Sequence, residues 1–259
     1  TKKVHAFLEE RYRYPKVLLT TSCSDALELA ALVARIEPGD EVIVPAFTFV
    51  SSANAFALRG AKIVFADSLP HNPNIDPDQV AALITPKTKA IVAVHYAGVC
   101  CDMRRLTKIA ADAGVIIVED AAQALDSTYE SQPAGSFGRF AAFSFHETKN
   151  LSAGEGGMLV LKHPDDVHRA EIIREKGTNR SAFIRGEVDR YGWVEVGSSF
   201  LPSELNAALL YAQLQHIDRI QARRRAIFEL YDARLRATLT AMDVGVPDVP
   251  ANCGGNAHA

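Results

Sequence analysis

The sequence predicts an α/β fold, a mostly parallel seven-stranded sheet flanked by helices, and three observations predict it. From Lys16 to Glu119, short apolar runs alternate with helical patterns, as βαβ units require. The runs are continuous in Val and Ile, which marks strands buried on both faces. The chain is also 48% hydrophobic and 23% charged over 259 residues, enough apolar material for one large core.

The elements follow in order. Lys16 to Thr20 forms a short strand, and Ala26 to Ile36 an amphipathic helix closed by Pro38-Gly39. Glu41 to Pro45 is a strand, Val50 to Arg59 a helix ending at Gly60, and Ala61 to Phe65 the next strand. Asp76 to Leu83 is helical and Ala90 to Val94 is a strand. Met103 to Ala113 is a helix capped by Gly114, followed by the strand Val115 to Glu119. After Gly138 the pattern changes. Arg139 to Phe145 and Gly157 to Leu161 are strands whose short, Gly-containing connection permits an antiparallel pair. Ser203 to about Leu239 is one long helical stretch, bent or broken within its length.

The bulk properties exclude several classes. Net charge is -3, so no nucleic-acid or membrane surface is expected. Arg223, Arg224 and Arg225 cluster in a polar helical stretch and read as a solvated face. Cys23, Cys100, Cys101 and Cys253 contain no C-x-x-C pair, so no metal site is expected and reduced thiols in the cytoplasm fit best. No apolar run is long enough to span a membrane, and the N-terminus lacks a signal-peptide pattern. The Pro/Asn/Gly-rich stretch Pro247 to Gly255 resembles a linker. The expected organisation is a large domain over 1–245 and a linker over 246–259 into a small C-terminal domain that is largely missing.

In parallel sheets, ligands bind beyond the carboxyl ends of the strands, and three segments there carry chemistry. Ser22-Cys23-Ser24-Asp25 joins a strand to a helix, where free N–H groups and a hydroxyl from Ser24 suit a phosphate. Alone it is better explained as a plain helix cap, with Asp25 and Glu28 forming a capping box. Asp120 ends a buried strand, where a carboxylate could hold a protonated ring nitrogen or equally cap the next helix. Phe143-Ser144-Phe145-His146-Glu147-Thr148-Lys149-Asn150 leads out of a strand into a Gly-rich loop. A lysine is usually solvated, but desolvation at such a loop makes it a usable amine. Together the three segments offer a phosphate cradle, a carboxylate for a pyridine nitrogen and an amine for an aldehyde. Pyridoxal 5'-phosphate (PLP) needs all three, and their order is that of fold-type-I PLP enzymes.

On these residues the sequence resembles the DegT-type sugar aminotransferases over nearly its whole length. The resemblance rests on Thr20 to Ala31, Pro45 to Ala55, Glu119 to Gln123, Phe143 to Phe145 with Lys149, Gly154 to Gly157, and Gly197-Ser198-Ser199. It is nearest to the branch of dTDP-4-amino-4,6-dideoxygalactose transaminases, through residues 143–150, 175–181, 94–98 and 197–199. It implies catalytic roles for Lys149, the amine joined to the cofactor, and Asp120, the partner of the pyridine nitrogen. It implies that Gln123 meets the 3-hydroxyl side and that Ser24, the backbone at Asp25, and Ser144 hold the phosphate. Phe49 would stack on the ring or, alternatively, pack in the core. Many relatives place Asn at the position of Ser199, which contacts the phosphate from the second subunit; Ser199 puts that contact in doubt. The resemblance further implies a homodimer with shared active sites, acting on L-glutamate and a nucleotide sugar.

Two other activities compete. Related sugar dehydratases carry His where Lys149 stands, which favours amino transfer; a non-catalytic regulatory relative would have no need of Lys149, Asp120, Gln123 and Ser144 together. His95 could face the site or be a hydrogen-bonded structural histidine. Asp67 is expected to cap a turn, Trp193 to shape a sugar pocket or pack in the core, and Arg180 and Arg185, in a polar loop, to be solvated or, alternatively, to contact a nucleotide diphosphate.

Overall fold

In the computed structural model residues 1–256 are described. Seven strands form the main sheet: β1 (Lys16–Thr20), β2 (Glu41–Pro45), β3 (Lys62–Ala66), β4 (Thr88–Val94), β5 (Ile116–Asp120), β6 (Phe140–Ser144) and β7 (Gly157–Leu161). Their order across the sheet is β1-β7-β6-β5-β4-β2-β3. All neighbours are parallel except β7, which runs antiparallel to both β6 and β1. The reversal at β7 leaves β1 pointing the same way as β6. Register then aligns Thr20, Gly157 and Ser144 across one edge of the sheet, with Asp120 paired to Ala142 and Val94 beside them.

Helices cover both faces. α1 (Lys2–Tyr12), α2 (Cys23–Val33), α3 (Ser51–Ala57), α4 (Pro77–Leu83), α5 (Met103–Ala113), α6 (Pro164–Arg174), α7 (Arg180–Ile184), α8 (Glu204–Leu214) and α9 (Ile217–Ala241) follow in chain order. Leu18, Val42, Val44 and Val92 point to one core, which α2, α3 and α6 cover. The intervening Val17, Leu19, Ile43 and Ile91 point to the other, which α1, α4, α5 and α8 cover. Strand periodicity therefore builds two apolar layers from every continuous Val/Ile run.

Several local expectations change. α2 begins at Cys23 because the Ser22 hydroxyl accepts the Asp25 N–H at 3.0 Å. Ser22, not Asp25, is the cap; the Asp25 carboxylate is held by the Thr21 hydroxyl. α1 buries Val4, Leu8 and Tyr12 at four-residue spacing, too narrow an apolar stripe to stand out in a Lys- and Glu-rich segment. The long C-terminal helical stretch breaks between Leu214 and Ile217. The expected linker runs back along the domain: Asp248 N–H donates to His71 at 3.1 Å, and Cys253–Gly254 pairs with Thr128–Tyr129. Its last residues, 257–259, lie outside the described residues. Trp193 is 76% exposed, so it does not pack in the core. Among the described residues no helix is long and apolar enough to cross a membrane.

Candidate active site

The aligned strand ends open onto a cavity of about 710 Å³. Lys149, Asp120, Gln123, Ser24, Phe49 and Ser144 all line it. Asp25 and Ser199 do not. Asp25 turns its carboxylate to Thr21, which leaves its backbone as the part a phosphate could use. Ser199 is exposed and bridges to Glu175 on a separate segment.

At the β1 and β6 ends, small polar groups converge. Ser24 Oγ lies 2.6 Å from Ser51 Oγ. Ser144 is buried and its hydroxyl accepts the His146 N–H at 3.3 Å. Between them, Gly157 lies so close to the turn that a Cβ there would overlap the Ser22 carbonyl group and Cys23 nitrogen. This close approach presses the start of α2 against β7, so its free N–H groups and three hydroxyls form one polar corner suited to a phosphate.

Asp120 stands one strand further along and is 6% exposed. Its Oδ1 accepts the Ala122 N–H at 3.1 Å and its Oδ2 the Ser52 hydroxyl at 2.6 Å. A carboxylate has about four acceptor positions, so it retains capacity for a donor in the cavity. Gln123 commits its carbonyl oxygen to the Ala97 N–H at 2.5 Å; what it can offer a ligand is its NH2 group. Lys149 closes a turn through its N–H to His146 carbonyl bond at 3.0 Å. Phe49 is 71% exposed at the mouth, so the core-packing alternative does not occur. A phosphate corner, a buried anion, an amine and an aromatic face therefore fit PLP by donor chemistry.

The cavity also holds residues that the sequence did not single out. Cys23 lies between the charged groups: burial pushes its thiol pKa well above the ordinary range, Asp120 adds to the rise and Lys149 opposes it. It is a protonated thiol, not a nucleophile. Thr48, Ser51, Tyr96, His146 and Glu155 also line the wall, with Tyr96 packed against Phe47 at 4.9 Å between ring centroids. All of them fall inside segments on which the family resemblance rests, but nothing in those segments marks them individually as cavity residues.

His95 is buried, with Nε2 2.9 Å from Glu119 and Nδ1 accepting the Cys101 N–H at 3.1 Å. It also lines the cavity, so it faces the site with both ring nitrogens already held by hydrogen bonds to the protein. Asp67 accepts the Ser68 N–H at 2.8 Å, as a turn cap does. Arg180 pairs with Glu175, and Arg185 with Glu171 and Glu187.

Comparison with known proteins shows the family and the fold. The model of the DegT/DnrJ/EryC1/StrS aminotransferase family matches residues 2–251. The spore coat polysaccharide biosynthesis protein SpsC of Bacillus subtilis (strain 168) is 40% identical over 81% of this chain and 55% of its own length. GDP-perosamine synthase of Caulobacter vibrioides is 37% identical, again over 81% of this chain and 55% of its own. Among solved structures, the PLP form of Spr1654 from Streptococcus pneumoniae superposes with a TM-score of 0.83 at 31% identity, covering 90% of this chain and 63% of that one. The chain thus spans about half the length of the curated relatives it matches.

Proposed function

The chain belongs to the DegT/DnrJ/EryC1/StrS aminotransferase family, and from that premise we propose that the whole protein is a PLP-dependent nucleotide-sugar aminotransferase. It moves the amino group of L-glutamate to the 4-keto carbon of a dTDP-4-dehydro-6-deoxyhexose. The products are dTDP-4-amino-4,6-dideoxygalactose and 2-oxoglutarate, for surface polysaccharide synthesis in the cytoplasm. The observation that carries the aminotransferase reading is the meeting of Lys149, Asp120, Gln123, Ser24 and Ser144 in one cavity. The choice of sugar is supported by the Phe-Ser-Phe-His-Glu-Thr-Lys-Asn segment at 143–150.

When bound, PLP supplies an aldehyde that takes up an amino group and a ring that withdraws electrons. The residues do the rest. Ser24, the backbone at Asp25 and Ser144 hold the phosphate, and Phe49 covers the ring. Gln123 donates toward its 3-hydroxyl side. Asp120 would keep a proton on the ring nitrogen, an electrostatic contribution made by a carboxylate that is itself buried. Lys149 Nζ would be the amine that holds the cofactor and the base that takes the proton from the donor's α-carbon.

We also propose a homodimer in which Ser199 serves the partner's site. Ser199 lies outside its own chain's cavity, and exposed Phe183, Ile184, Tyr191, Trp193, Val194 and Val196 precede it. An exposed apolar cluster of that kind suits an interface.

The test is to supply the full-length protein with PLP, L-glutamate and a panel of 3-keto and 4-keto sugars carrying dTDP or GDP. An amine at C4 of the dTDP sugar is the expected product. Turnover confined to a GDP sugar or to a 3-keto sugar would overturn the substrate assignment, and loss of a hydroxyl without gain of nitrogen would overturn the reaction.

A further inference from the structure

We propose that Ser52, supported by Thr48, is a positioning residue that fixes Asp120 for its work on the cofactor's ring nitrogen. The inference rests on the PLP reading of the cavity.

Ser52 lies near the start of α3 and is 0% exposed. Its Oγ is 2.6 Å from Asp120 Oδ2 and 2.7 Å from Thr48 Oγ1. A serine hydroxyl has one proton, and the carboxylate can only accept. Ser52 therefore donates to Asp120, and Thr48 must donate to Ser52. The hydrogen bonds have a fixed direction, from Thr48 on the cavity wall through Ser52 to the carboxylate. On the other oxygen the Ala122 N–H donates to Oδ1 at 3.1 Å. With one donor on each oxygen, the carboxylate plane cannot turn without breaking both bonds.

The chain also acts on charge. Aligned donors polarise one another, and a hydroxyl donating to a carboxylate stabilises its negative form. The proton shared between Asp120 and the ring nitrogen is then kept on nitrogen. A positive ring in turn lowers the proton affinity of the nitrogen that joins Lys149 to the cofactor, because like charges repel. Loss of the Ser52 hydroxyl weakens that effect. A hydroxyl that merely filled a buried position would leave the cofactor's titration untouched.

The test uses the full-length protein loaded with PLP, with Ser52→Ala and Thr48→Val compared with the parent. The pH midpoint of the bound cofactor's visible band should rise by about 0.5 to 1 unit in Ser52→Ala. The kcat should fall roughly 10-fold, with the sugar KM within about twofold, since the interaction serves the chemical step. Thr48→Val, at a half-buried wall position, should shift the midpoint the same way by less, and it carries the test if Ser52→Ala does not fold. Midpoints equal to the parent's in the folded variants, or losses confined to KM or melting temperature, would overturn the role of Ser52. A parent protein with no PLP band at all would instead overturn the cofactor reading on which it rests.

Discussion

Replacing Glu119 by Gln should unfold the floor of the site, although Glu119 touches no part of the cavity. Glu119 is 0% exposed. Its Oε1 accepts the N–H groups of Phe137 at 2.9 Å and Gly138 at 2.6 Å. Its Oε2 accepts the Gly135 N–H at 2.7 Å and faces His95 Nε2 at 2.9 Å. The Cys101 backbone N–H can only donate to His95 Nδ1, so the imidazole presents its own N–H to the carboxylate. All four partners are donors. Either orientation of a glutamine amide sets NH2 against two of them. His95 cannot switch tautomer to help, because its Nδ1 would then face the Cys101 N–H. Two buried donors left unpaired cost about 1–3 kcal/mol each, so a loss of roughly 3–5 kcal/mol is expected, as for other broken buried charge clusters. The release of His95 also loosens the 96–98 turn, whose Ala97 N–H holds Gln123, and PLP affinity should fall with it. Urea unfolding of the PLP-free full-length protein, followed by circular dichroism, measures the loss. A loss below about 1 kcal/mol would refute the four-donor account.

Three further outcomes follow from the geometry. His5 accepts the Leu19 N–H at 2.9 Å, and burial, aided by Arg174, lowers its pKa to about 3. The unfolded chain therefore binds the proton first. Stability from His5 is complete above about pH 6.5 and is lost toward pH 3, with a slope of up to ~1.4 kcal/mol per pH unit; His5→Gln should show a shallower fall between pH 6.5 and 4, and parallel curves would contradict this. Gly157→Ala forces a methyl into the Ser22-Cys23 backbone; it should cost about 1–3 kcal/mol and weaken PLP binding in a spectral titration, whereas an unchanged titration would show that the α2 turn is not the phosphate corner. Asp120→Asn keeps the shape and removes the charge, so kcat should fall by about 100-fold or more while PLP is still retained on the lysine; near-normal turnover would remove Asp120 from the mechanism.

The sheet was legible because its inner strands are buried on both faces, which forces continuous Val/Ile runs such as Val42-Ile43-Val44 and Val115 to Val118, whereas the edge strand Lys62–Ala66 leaves Lys62 and Phe65 exposed. Of the main sheet's strands, Lys16–Thr20, Glu41–Pro45 and Gly157–Leu161 lie where their patterns predict, as does the helix Met103–Ala113. The antiparallel β6–β7 pair was readable from its short connection. α1 was not, since Val4, Leu8 and Tyr12 give only one narrow apolar line. The pairing of Cys253–Gly254 with Thr128–Tyr129 was not either, since a two-residue strand has no periodicity to detect. In the cavity, Lys149, Asp120 and Ser144 could be singled out because each follows or ends a strand. Ser52 and Thr48 could not, because an ordinary Ser/Thr-rich segment becomes meaningful only when folding brings it 2.6 Å from a carboxylate 68 positions away. Glu119 was hidden by its neighbour. Adjacent residues on a strand point to opposite faces, so one carboxylate of the pair serves the cavity and the other the loops behind it.

The most direct test of the central claim is peptide mapping of the full-length protein after loading with PLP and reduction with borohydride. The account predicts one modified peptide, carrying the reduced cofactor on Lys149, and none in a Lys149→Ala variant. Cofactor fixed on another lysine, or retained covalently by Lys149→Ala, would contradict it.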